Sequence, residues 1–119
     1  MFRGSRGGSG GGGGGSGDGR DFAVQAITSA DSPYTATLSS TKSDLISVNA
    51  SGGAVTVNLP SPTPIAGKMV IVKDANEQAA TNNITVSATG SIDSGSSVTL
   101  SNNGASLLLI SDGVRWTVN

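Results

Sequence analysis

Leu45-Ile-Ser-Val-Asn49, Ala50-Ser-Gly-Gly53 and Ala54-Val-Thr-Val-Asn-Leu59 follow one another without interruption, and this stretch decides the fold. In its last segment Val55, Val57 and Leu59 alternate strictly with Thr56 and Asn58. A period of two sends one set of side chains into a core and the other toward water, as in a strand with one buried face. Ser51-Gly52-Gly53 supplies the positive-φ positions that a tight hairpin requires. The stretch therefore reads as two strands joined by a turn.

The same texture extends in both directions. Upstream, Phe22–Thr28 is a mixed apolar run without helical spacing, and Tyr34–Leu38 follows Pro33 as a strand. Downstream, Pro60, Pro62 and Pro64 interrupt any ladder, so 60–67 is a surface loop. Lys68-Met-Val-Ile-Val-Lys-Asp74 holds four contiguous apolar residues, a pattern expected of a strand buried on both faces, at the centre of the domain or at a subunit contact. After a polar connection over 75–82 come Asn83–Ser87, a short Ser91–Asp93, Ser97–Ser101 and Ser106–Ser111. Asp112-Gly113 then signals a hairpin into Val114–Val118. About nine or ten short strands at a spacing of roughly 8–12 residues predict an all-β fold, a compact antiparallel β-sandwich or small barrel. No clean internal repeat is visible, which favours the sandwich over a β-solenoid.

Ahead of this domain, assigned to 22–119, lies a different kind of sequence. Residues 1–21 form a Gly-rich extended arm, with six consecutive glycines from Gly10 to Gly15. Glycine loses the most backbone entropy on ordering, so such an arm is expected to order only against a partner surface. The chain has 119 residues, of which 35% are hydrophobic and 3% aromatic. A core this thin is often completed by oligomerisation. Net charge is −1, and three arginines (Arg3, Arg6, Arg20) against Asp18 leave the arm through Arg20 weakly basic and the remainder weakly acidic. That balance suits an acidic protein surface and is too weak for a nucleic-acid patch. No apolar stretch has the form of a signal peptide or a membrane span, so synthesis in the cytoplasm and no membrane partner are expected.

The chain has no cysteine and no histidine. The commonest general bases, nucleophile partners and zinc ligands are therefore missing, and no catalytic residue, metal site or cofactor is assigned. Asp93 and Asp112 could form a carboxylate pair of the glycosidase type, but aspartate at the start of a turn is favoured for local hydrogen bonding alone. Asp74-Ala-Asn76-Glu77 has too few ligands for a dedicated calcium loop and reads as a turn. Trp116, between Val114 and Val118 and on the same face as both, is a core residue rather than a stacking platform for a glycan. Tyr34 is the other aromatic such a platform could use.

The stretch Asp44–Pro60, together with Val70-Ile-Val-Lys-Asp74, Asn82-Asn-Ile-Thr-Val86 and Leu109-Ile-Ser-Asp-Gly-Val-Arg-Trp116, resembles a small β-rich module of tailed-bacteriophage virion proteins. The resemblance covers about residues 34–119 and lies in the order and spacing of five short motifs. It implies a homotrimeric structural protein of the capsid decoration (cement), head-fibre or tail-fibre type, rather than an enzyme. A single module with an arm, too short to span the length of a tail fibre, fits a cement or head-fibre protein on the outer surface of the capsid. The implied partner is the major capsid protein, reached through Phe2, Arg3, Arg6, Arg20 and Phe22. Met69, Ile71, Leu108, Ile110 and Trp116 are the expected trimer or core contacts. The other reading is a tail-tip module that binds a host-surface glycan through loops such as 60–67 and 75–82.

Overall fold

A computed structural model gives the structure of the chain over residues 21–119. Nine strands are found among these residues: β1 (Phe22–Thr28), β2 (Tyr34–Thr35), β3 (Ser43–Asn49), β4 (Val55–Leu59), β5 (Met69–Asp74), β6 (Ile84–Ile92), β7 (Gly95–Leu100), β8 (Ser106–Ser111) and β9 (Trp116–Val118). Two short 3-10 turns, Ser29–Asp31 and Thr63–Ile65, are the only helical elements described. The fold is all-β.

Its pairing differs from the antiparallel arrangement expected from the sequence. β1, β3 and β5 form one parallel stack, and β2, β4 and β6 form another. The chain crosses from one stack to the other after each strand, making three turns of a coil around a shared core. The Ala50–Ala54 segment is thus a corner between stacks, because β3 and β4 are not neighbours in the sheet. Asn82 Nδ2 donates to the Ala50 carbonyl (2.8 Å) and helps hold that corner. A period of two records which face of a strand is buried, and it is identical for parallel and antiparallel partners. The coil also escapes a search for repeats. Its turns lengthen from 21 residues (Phe22 to Ser43) through 23 (Tyr34 to Val57) and 26 (Asp44 to Val70) to 29 (Val55 to Ile84).

Antiparallel strands close the end of the coil. β7 folds back on β6, β8 on β5, and β9 on β8, with Trp116 also beside Ile92 of β6. The Asp112-Gly113 hairpin stands where the sequence places it. The Asp112 carboxylate accepts from the amides of Val114 and Arg115, both at 2.8 Å. Pro60 to Gly67 is a loop, fastened to this hairpin at three points. Trp116 Nε1 donates to the Pro60 carbonyl (3.0 Å), the buried Ser111 hydroxyl donates to the Pro62 carbonyl (2.7 Å), and the Gly67 amide donates to the Ser111 carbonyl (2.7 Å).

Inward side chains from both stacks merge into one core: Ile46 and Val48 of β3, Val70 and Val72 of β5, Leu109 of β8, Val55, Val57 and Leu59 of β4, Ile84 and Val86 of β6, and Trp116 of β9. Two carboxylates are buried with them. Asp44 pairs with Lys68 (2.6 Å) and accepts from the Ser39 amide and Gln25 Nε2, at 3.0 and 3.1 Å. Asp74 accepts from the amides of Gln78, Ala79 and Gly104, at 3.1, 2.9 and 2.9 Å. A buried carboxylate persists only with such a set of donors. Each one here ties a loop to the start or end of β3 or β5.

Candidate functional site

Several of the ionisable side chains are engaged in holding the fold. The Lys68 ammonium, beside a shallow groove lined by Ser39–Ser43 and Pro64–Met69, is held by Asp44 and by the carbonyls of Ser39 and Lys42. Asp93 accepts from the Val118 amide (3.1 Å), and Asp112 is turned into its own hairpin. The Asp74–Glu77 segment closes around the Asp74 carboxylate. Burial works to raise the Asp74 pKa, but the amides of Gly104, Ala79, Gln78 and Asn76 together outweigh it and hold it below the usual aspartate value. Among the described residues, no group of three or more His, Cys, Asp or Glu could hold a metal ion, and no helix is long and apolar enough to cross a membrane.

The aromatic pair is equally committed. Trp116 is fully buried, so it offers no ring face to a sugar. Tyr34 is half-buried, and its hydroxyl donates to Gln25 Oε1. Val114 does not share the buried face of Trp116. It sits in the β8–β9 turn, 69% exposed, because the turn breaks the alternation before β9 begins.

What the fold does assemble is an apolar surface. On the β1-β3-β5-β8 half, residues that alternate with the core residues point outward. The register sets Val24 opposite Leu45, Leu45 opposite Ile71, and Ile71 opposite Leu108. Four strands thus contribute one apolar side chain each to a single cross-strand row. Such neighbours stand about 5 Å apart and cover one another's flanks. The adjacent row adds Met69 opposite Ile110, and begins with Phe22 opposite Ser43. Val24 is 62% exposed, and Leu45, Met69, Ile71, Leu108 and Ile110 are half-buried without joining the core cluster. A third row, Ala26, Ser47, Lys73 and Ser106, carries no large apolar side chain, and Lys73 donates to the Gly104 carbonyl at its margin.

The opposite half has a different outer face. There Thr56 stands opposite Thr85 and Thr85 opposite Thr99, while Asn58 stands opposite Ser87 and Ser87 opposite Ser97. The Ser87 hydroxyl donates to Asn58 Oδ1 at 2.6 Å. This is the solvated face usual for a sheet with one buried side.

Of the residues singled out from the sequence, Met69, Ile71, Leu108 and Ile110 come together on the apolar outer face, and Trp116 is in the core. β5 is accordingly buried on one face only, with its other face open. Phe22 starts β1 at the edge of the apolar face, half-buried. Phe2, Arg3, Arg6 and Arg20 lie outside the described residues. Val24 and Leu45 complete the row and were not picked out beforehand. The available signal was the apolar doublet Leu45-Ile46, which a strand with one wet face does not need. A scan against models of protein families finds none that matches this chain, and a search of curated proteins finds no match either.

Proposed function

We propose that this is a structural virion protein, a capsid decoration (cement) or head-fibre protein that acts as a homotrimer and attaches to the capsid shell through its N-terminal arm. The observation that carries this reading is the apolar outer face of the β1-β3-β5-β8 half. It is presented by a coil whose Asp44, Lys68, Asp74, Asp93 and Asp112 are engaged in internal contacts. A surface of this kind is built for association rather than for turnover. The resemblance of residues 34–119 to phage virion modules supplies the class of assembly. The arm supports the same reading: glycine threads narrow grooves between subunits, and Arg3, Arg6 and Arg20 suit an acidic shell.

The test is co-sedimentation with capsids stripped of this protein, comparing the full chain with a chain begun at Asp21. The full chain is expected to coat the shells, and the shortened one is expected to keep its oligomeric mass while no longer sedimenting with them. Equal binding by both forms removes the arm from the proposal. No binding by the full chain removes the capsid.

A further inference from the structure

We infer that copies of this chain meet through the outer face of β1, β3, β5 and β8, with Val24, Leu45, Ile71 and Leu108 at the centre of the contact and Met69 and Ile110 beside them. The inference rests on the oligomeric part of the reading above and specifies where that contact lies.

Two features choose the occupant. The face is continuous across four strands by register, and its two apolar rows contain no charged side chain. Around a symmetry axis every residue approaches its own image or a symmetry mate, so a charge near the axis would meet a like charge. An uncharged apolar patch escapes that penalty. Residues 1–20 are a poor cover, since only Met1 and Phe2 among them carry apolar side chains. Glycine and serine cannot replace the apolar contacts that four strands of Val, Leu and Ile require. The threonine and serine rows of the opposite face, Thr56-Thr85-Thr99 above all, mark the side that stays in water.

The experiment uses the full chain, with its mass in solution measured by light scattering and sedimentation. Leu45→Lys and Ile71→Lys each place a charge in the central row, and Thr85→Lys places one on the opposite face. The native chain and Thr85→Lys should keep the oligomeric mass. Leu45→Lys and Ile71→Lys should fall to the mass of a single chain, about one third of the native value for a trimer, with an unchanged β-type circular dichroism spectrum. Should a lysine variant fail to fold, single cysteines provide the second readout, since the chain has none of its own. Under mild oxidation Ile71→Cys is expected to give an interchain disulfide on a non-reducing gel, and Thr85→Cys is not. Folded lysine variants that stay oligomeric, or equal cross-linking at both positions, overturn the assignment of the face and leave the virion reading intact. A native chain that is monomeric throughout overturns both the face and the trimer. Loss of capsid binding with this pattern of dissociation intact strikes only the virion reading.

Discussion

Trp116 carries the largest fully buried side chain of the molecule, and its one polar atom is matched by the Pro60 carbonyl. Two different contributions therefore meet in one residue, ring packing between the stacks and a fastening for the proline-rich loop. Trp116→Ala should destabilise the fold by about 3–5 kcal/mol, as expected for removing a buried aromatic. Trp116→Phe should cost less, mainly the pairing of Pro60. Urea unfolding midpoints separate the two, and a loss under about 1 kcal/mol for the alanine variant would contradict a core role. Asp74 is the second residue whose chemistry is legible at this scale. Its pKa is held below the usual aspartate value in the folded chain despite burial, because backbone amides, those of Gly104, Ala79 and Gln78 foremost, donate to the carboxylate. A depressed folded-state pKa contributes stability above the unfolded value, and that contribution is lost as pH falls through the folded one. Asp74→Asn should therefore be less stable near neutral pH, by about 2 kcal/mol for buried hydrogen bonds to a charged group. The gap to the native chain should narrow below about pH 4. Denaturation midpoints across that range check both the size and the direction. A gap that widens in acid refutes the linkage.

At the scale of elements, the β8–β9 hairpin closes the coil by linking the antiparallel cap of one stack to β6 of the other. Its turn depends on Gly113, whose φ of 93° lies where L residues rarely go and where an added Cβ would come within 3.3 Å of the Ala66 Cβ. Gly113→Ala should cost about 1–3 kcal/mol through this strain and should loosen the loop that Trp116 and Ser111 fasten. Amide hydrogen exchange should show the effect first at Gly67 and Ser111, whose amides join the loop to β8. An unchanged exchange pattern would tell against the coupling of loop and hairpin. The elements themselves were largely legible. The Asp112-Gly113 turn, the Pro60–Gly67 loop and most strands stand where local chemistry puts them. However, Tyr34–Leu38 shortens to Tyr34–Thr35, Asn83–Ser87 and Ser91–Asp93 run together in β6, and the last strand starts at Trp116 rather than Val114. Partners were not legible, since Gly52-Gly53 serves a hairpin or a corner equally well. One discriminating signal was present: β4 and β6 alternate cleanly (Val55-Thr-Val-Asn-Leu59, Ile84-Thr-Val-Ser87). β5 and β8 run apolar on both faces (Met69-Val-Ile-Val72, Leu107-Leu-Leu-Ile110). Strands of the first kind fall in one half and strands of the second kind in the other, so the sequence sorts them by sheet half before any pairing is known.

For the whole molecule, that division into halves becomes a difference between its two outer surfaces, one apolar and one covered by threonine, serine and asparagine. The candidate contact was legible as residue types at Met69, Ile71, Leu108 and Ile110. It was not legible as a surface, because only the parallel register of β1, β3 and β5 brings Val24 and Leu45 into line with them. Assembly through this face has a thermodynamic signature that needs no partner protein. When copies bind one another only in the folded state, dissociation and unfolding are coupled and the midpoint depends on protein concentration. The native chain should therefore melt at a lower temperature after each tenfold dilution. Leu45→Lys, folded but dissociated, should melt at one temperature whatever its concentration, and Thr85→Lys should follow the native chain. Scanning calorimetry over about a hundredfold range makes the comparison. The native curve must approach that of Leu45→Lys on dilution if the apolar face is the only contact between copies. A native midpoint that does not move with concentration, while the mass remains oligomeric, would mean that unfolding is not coupled to dissociation and would refute this prediction. Equal midpoints for the two proteins at every concentration would leave the face without a role in stability.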